Sequence, residues 1–196
     1  MLNIPNWLTL FRIVLIPIFV AAFYLPVHWA TEATAGIFAL AAFTDWLDGY
    51  LARRLGQVSP LGAFLDPVAD KLMVAAALVL VVQSDPTPWL AVAAVVIIGR
   101  EITISALREW MAEIGARAQV AVSEVGKIKT ATQMLAIFLM LYREPVLTMP
   151  VYTIGFVLLY VAVVLTLWSM SLYLIAAWPR LTEGEQARDV DHDDKL

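Results

Sequence analysis

Cysteine is absent from the chain and histidine occurs only twice. The first absence excludes disulfide frameworks, thiolate nucleophiles and cysteine-ligated metals. His28 and His192 fall in a short loop and in a polar tail, so neither is placed as a catalyst. Charge is scarce as well: 15% of the 196 residues are charged and 61% are hydrophobic, with a mean hydropathy of +0.79. Soluble domains carry roughly a quarter charged residues, so this composition suits a lipid solvent better than water. The net charge of −4 argues neither for nor against a nucleic-acid partner, and none is expected. No basic region precedes the first apolar stretch and no small-residue cleavage site follows it, so a removable signal peptide is not expected.

What is present is a series of long apolar runs, near the roughly 20 residues that cross a bilayer as helix. Six segments read as transmembrane helices: Trp7–Leu25, Ala33–Arg53, Pro60–Gln83, Pro88–Arg108, Thr130–Tyr142 and Val151–Trp178. Leu25-Pro26, Ser84-Asp85-Pro86 and Glu144-Pro145 supply turn signals between them. Trp29, Trp89, Trp168 and Trp178 lie near proposed ends, where an amphipathic ring suits the interface. The expected fold is all-α and polytopic, one domain over residues 1–180, followed by an acidic, disordered tail over 181–196. Cations are placed unevenly. Twelve of the thirteen, including Arg12, Arg53, Arg54, Arg100, Arg108, Lys127 and Lys129, fall on one side of this threading, and Arg143 alone on the other. Excess Lys and Arg marks the cytoplasmic face, so both termini and the Arg53–Asp66 connection are expected there.

Four aspartates sit in or beside these apolar segments, where charge is costly and usually functional. Asp45 and Asp48 are three apart and share a helix face with Gly49 and Ala52 close by. On the next segment Gly62, Asp66 and Asp70 recur every four residues, again one stripe. Ser59 and Pro60 resemble an N-cap and first position, which puts Pro67 inside the helix as a bend. Alternatively Asp66 caps a helix that starts at Pro67, and then it faces inward less. For one or two aspartates a cap or a surface ion pair is explanation enough. Four converging carboxylates repel unless cations intervene, and an all-oxygen set suits Mg²⁺ or Mn²⁺. Two such ions can clamp a phosphoryl group. Gly49, Ala52 and Gly62 then act as clearances for a diphosphate or nucleotide, and Arg53 offers a fork for phosphate oxygens.

The run Asp45-Trp-Leu-Asp48-Gly49-Tyr-Leu-Ala52-Arg53, followed at fixed spacing by Gly62, Asp66 and Asp70, resembles the signature of the CDP-alcohol phosphatidyltransferase family. Asn6-Trp-Leu-Thr9-Leu-Phe-Arg12, Arg100-Glu101 through Arg108-Glu109-Trp110, and Gly126-Lys127-Ile-Lys129-Thr130 extend the resemblance, towards the branch that forms phosphatidylglycerol phosphate. The resemblance implies a six-helix enzyme of the bacterial cytoplasmic membrane, usually a homodimer. It implies Asp45, Asp48, Asp66 and Asp70 as metal ligands, with Asp70 also the general base. It implies Gly49, Ala52, Arg53 and Gly62 around the CDP portion of CDP-diacylglycerol, assisted by Asn6, Thr9 and Arg12. The implied acceptor is sn-glycerol 3-phosphate and the leaving group CMP.

An acceptor dianion needs cations beyond the metals. Arg100 lies deep in an apolar run and Arg108 two turns further on, while Lys127 and Lys129 precede the fifth segment. Each has a plainer reading: pairing with Glu101 for Arg100, and positive-inside bias for the lysines and Arg117. The resemblance favours acceptor-phosphate binding by Arg100, Arg108, Lys127 and Lys129. Arg54 reads as a surface cation, and the Trp, Tyr and Met positions read as packing. A transporter with intramembrane acids is the competing class, but it does not account for the small residues and Arg53 at that spacing.

Overall fold

The structure is a computed structural model and describes residues 4–55, 60–115, 124–146 and 148–193. Six helices follow one another: α1 Ile4–Phe23, α2 Ala30–Leu55, α3 Pro60–Ser84, α4 Pro88–Glu113, α5 Glu124–Tyr142 and α6 Val151–Asp193. No strand occurs among the described residues beyond an isolated bridge between Val146 and Met149. The expected turns at residues 24–29, 85–87 and 143–150 all separate helices.

Local chemistry explains several boundaries. Thr87 caps α4 by accepting from the Leu90 amide at 3.4 Å, and Pro88 occupies the first turn, where a missing N–H costs nothing. Arg143 ends α5 in the left-handed region, φ 59°, with its amide bonded to the Leu139 carbonyl at 3.2 Å. α3 begins at Pro60, which decides between the two expected starts: Asp66 lies inside the helix and the helix continues through Pro67. α4 and α5 run further into polar sequence than the apolar segments did. α6 likewise carries on to Asp193, where a disordered tail over 181–196 was expected. Apolar length marks only what lipid can cover, whereas backbone helix persists through any good helix formers.

The core is formed where all six helices meet, by Phe19, Phe38, Met73, Leu78, Ile97, Ile137 and Leu159 among others. α6 packs most extensively on α5, and Gly155 makes that approach possible. A Cβ there would lie 2.8 Å from Met140 Cγ and 3.0 Å from the Ala136 carbonyl oxygen. Large apolar side chains also cover the outside: Trp7, Val79, Trp89, Val95, Val164 and Ile175 are all more than half exposed. Helices that are apolar on every face belong in lipid. Three of them, over Asn6–Phe23, Pro88–Glu113 and Val151–Trp178, are long and apolar enough to cross a membrane, with mean hydropathies of 1.9, 2.0 and 2.2. The protein is thus an integral membrane helical bundle.

Helix alternation sorts the polar residues by end. The beginning of α1, the end of α2, the beginning of α3, the second half of α4, the start of α5 and the second half of the apolar part of α6 share one end. Every charged candidate residue in the described segments lies there.

Candidate active site at the polar end of the bundle

α1 lies against both α2 and α3, and its polar residues Asn6, Thr9 and Arg12, spaced by three, form one face. All three are buried. Thr9 Oγ1 donates to Asp66 Oδ1 at 2.5 Å. Arg12 Nη1 donates to Asp45 Oδ1 at 2.5 Å, and Nη2 donates to Asp48 Oδ2. One planar guanidinium therefore ties together the two aspartates that α2 presents on one face. Asp48 is buried, whereas the Asp45 side chain remains 46% exposed. Gly62 is buried and Gly49 half-buried, at the positions expected beside the acids. The side chains of Ala52 and Arg53 lie outside the described residues.

The four aspartates are thus brought to adjacent faces of α2 and α3, and the charge among them is unbalanced. Four carboxylates stand against the one guanidinium that hydrogen-bonds two of them. An all-carboxylate set of this kind has the hard oxygen donors that divalent ions require. Among the described residues no three acidic groups converge on a common point as they stand, and Arg12 spans Asp45 and Asp48. Sequence reasoning assigned Arg12 and Thr9 to a nucleotide. In the structure both are paired with carboxylates.

The cations meet on the other side of this end. Arg100 on α4 is buried; its Nη1 donates to Glu101 Oε1 at 3.2 Å and its Nη2 to Ser169 Oγ on α6 at 2.8 Å. The plainer reading of Arg100, a pair with Glu101, is therefore realised. Lys129 on α5 is 2% exposed and donates to the same Glu101 oxygen. Arg108 Nη2 donates to Tyr173 Oη at 2.8 Å. The guanidinium carbons of Arg108 and Arg100 stand 5.0 and 5.7 Å from the centroid of the Tyr173 ring. Three of the four expected acceptor-site cations are gathered around Glu101 and Tyr173. The Lys127 side chain and all of Arg117 lie outside the described residues.

Asp70 connects the two groups. It is carried by a helix that borders both groups. α3 makes this possible by packing against α1 and α2 as well as α4 and α5. Sequence reasoning left Glu101 as a mere partner and missed Ser169 and Tyr173. The signal was a polar stripe on an apolar helix: Thr166, Ser169 and Tyr173 follow at spacings of three and four on α6, and all three are buried.

Comparison with known proteins agrees with this geometry. The model of the CDP-alcohol phosphatidyltransferase family matches residues 2–168. A Sodalis glossinidius protein named CDP-diacylglycerol–glycerol-3-phosphate 3-phosphatidyltransferase is 60% identical over 176 residues, covering 90% of this chain and 95% of its own. Proteins of the same name from Yersinia pestis (strain Pestoides F) and Pseudomonas fluorescens are 59% and 56% identical. Those alignments cover 93% and 94% of this chain, and 98% and 95% of the relatives. Aspartates at the signature spacing around a buried arginine, a family match over most of the chain and close relatives along nearly its whole length lead to one conclusion: the chain belongs to the CDP-alcohol phosphatidyltransferase family.

Proposed function

We propose that this protein transfers the phosphatidyl group of CDP-diacylglycerol to sn-glycerol 3-phosphate, forming phosphatidylglycerol phosphate and releasing CMP. The observation that carries the reading is the gathering, at one end of the bundle, of aspartates around Arg12 and of Arg100 and Lys129 around Glu101, with Asp70 on the helix that packs against both sides. A donor diphosphate drawn to the first and an acceptor phosphate drawn to the second would meet at one carboxylate. The names borne by the 56–60% identical relatives support the same reaction.

The acceptor hydroxyl attacks, in line, the phosphorus that bears the diacylglycerol, and its proton passes to Asp70. A new ester P–O bond forms, the bond to CMP breaks, and CMP departs with the electron pair. No Ser, Cys or His nucleophile stands in the motif, so transfer is direct, without a lipid-bound enzyme. Asp45, Asp48, Asp66 and Asp70 would hold Mg²⁺ or Mn²⁺, two ions supplying charge neutralisation at the diphosphate, with Arg12 yielding part of its hold on Asp45 and Asp48. Gly49, Ala52 and Gly62 leave the backbone open to the CDP moiety, and Arg53 grips its phosphates with help from Asn6, Thr9 and Arg12. Arg100, Arg108, Lys127 and Lys129 bind the acceptor phosphate.

The same reading places six spans in the bacterial cytoplasmic membrane, with both termini and the site on the cytoplasmic side. It assigns residues 1–180 to the membrane domain and 181–196 to an acidic tail, and pairs two copies as a homodimer. The uneven placement of Lys and Arg supports the orientation. The deciding experiment incubates purified protein with CDP-diacylglycerol, Mg²⁺ or Mn²⁺ and a panel of alcohols, then identifies the lipid product. Phosphatidylglycerol phosphate with release of CMP is expected. Product from serine or an inositol phosphate but not from glycerol 3-phosphate would overturn the acceptor while keeping the reaction class.

A further inference from the structure

Arg100 and Arg108 are eight residues apart on α4, about 12 Å along the axis at 1.5 Å per residue. Two like charges on one helix face do not approach each other unaided. Here both guanidinium groups stand at a single ring, Tyr173, at 5.7 and 5.0 Å from its centroid. Both distances lie within the roughly 6 Å at which an aromatic quadrupole attracts a cation. The phenol oxygen also accepts from Arg108 Nη2 at 2.8 Å, and Ser169, one turn earlier on α6, accepts from Arg100 Nη2 at 2.8 Å. Tyr173 is buried, packed with Ile104 and Met111 of α4 and Ala177 of its own helix.

The chemistry of the holder matters. A carboxylate in place of Tyr173 would position the arginines but cancel their charge, as Glu101 does in part for Lys129 and Arg100. A ring and a hydroxyl hold cations and leave the positive charge available. Both guanidinium groups retain donors: the Nε of Arg100 and that of Arg108 are each buried with no hydrogen-bond partner among the described residues. A buried arginine donor without an acceptor is costly unless a ligand supplies one. A phosphate monoester offers several strong acceptor oxygens at once.

We propose that Tyr173 is a positioning residue of the acceptor site: it holds Arg100 and Arg108 as a spaced pair without itself cancelling their charge, and so sets the preference for a phosphorylated over an unphosphorylated alcohol. The inference deepens the function proposed above and rests on it. Tyr173 touches neither substrate nor leaving group and acts through the two arginines.

The test uses the full chain in detergent micelles containing CDP-diacylglycerol, with glycerol 3-phosphate or glycerol as acceptor, comparing wild type, Tyr173→Phe and Tyr173→Leu. Tyr173→Phe keeps the ring and removes one hydrogen bond to a charged group, so the KM for glycerol 3-phosphate rises roughly three- to tenfold. Tyr173→Leu removes the ring as well, and that KM rises roughly ten- to a hundredfold. The KM for CDP-diacylglycerol stays within about twofold in both variants, and the ratio of glycerol 3-phosphate to glycerol use falls. An unmoved KM for glycerol 3-phosphate in Tyr173→Phe and Tyr173→Leu overturns the inference. So does a donor KM that rises in the same proportion, since that marks a merely structural role. If Tyr173→Leu does not fold, Tyr173→Phe decides by the same two constants. Wild type that makes no product from glycerol 3-phosphate overturns the acceptor reading and this inference together, whereas active wild type with unmoved variants overturns the inference alone.

Discussion

On the α1–α3 side of the polar end, four carboxylates face one buried guanidinium; on the α4–α6 side, three cations surround one carboxylate and one tyrosine ring. The first group has more negative charge than its own side chains neutralise and so invites added cations. The second balances part of its charge internally and keeps the remainder on arginines with unused donors. The two are built on different helices, and the packing of α2 on α5 and of α3 on α4 and α5 joins them. The proposed transfer of a phosphatidyl group from a diphosphate to a phosphorylated alcohol would use this division, with cations bound on one side and an anion on the other.

The comparison can be broken in stages. Removing divalent metal with a chelator is expected to abolish turnover completely, with recovery on adding Mg²⁺ or Mn²⁺; full activity in chelator would mean that Arg12 alone serves the carboxylate side. Asp70→Asn removes the proposed base and is expected to lower kcat by roughly a hundred- to ten-thousandfold. Binding of CDP-diacylglycerol should survive that change, and turnover at the wild-type rate would remove Asp70 from the chemistry. Arg12→Met leaves buried Asp48 and half-exposed Asp45 without their counter-charge. Loss of one partner of a buried pair costs about 3–5 kcal/mol, a figure to be reduced here because Asp45 reaches solvent. A lowered midpoint of thermal unfolding in detergent is the measure, and an unchanged midpoint would show that the pair stabilises little.

Two smaller effects sharpen the contrast. Arg108→Ala is expected to raise the KM for glycerol 3-phosphate roughly tenfold or more while leaving the donor KM in place. Equal rises in both constants would dissolve the distinction between the two sides. Gly155→Val, far from either group, forces a side chain against Met140 and the Ala136 carbonyl and is expected to cost about 1–3 kcal/mol of stability. Both KM values should stay unchanged, which separates packing of α5 on α6 from recognition.

The carboxylate side was legible because its residues lie within two consecutive helices at spacings that geometry converts directly into shared faces. Asp45 with Asp48, and Gly62 with Asp66 and Asp70, need only helical periodicity to be grouped. The role of α1 was half legible. Asn6, Thr9 and Arg12 stood out as polar residues in an apolar run, but their pairing with Asp66, Asp45 and Asp48 depends on how α1 crosses α2 and α3. The cation side was less legible. Arg100 and Lys129 were visible as costly charges, yet Glu101 reaches Lys129 across 28 residues of chain, and the ring of Tyr173 stands 65 residues beyond Arg108.

What the sequence determined alone is what short-range physics controls. Apolar length set the helices and the lipid solvent, Pro and Asp set the turns, and fixed spacing set the stripe of acids. The tertiary structure decided which stripes face one another. It placed Arg12 between Asp45 and Asp48, gathered Lys129 and Arg100 on Glu101, and brought the ring of Tyr173 to two arginines. Those outcomes depend on crossing angles and helix rotations, which arise from side-chain packing over the whole bundle and leave no periodic trace in any one segment.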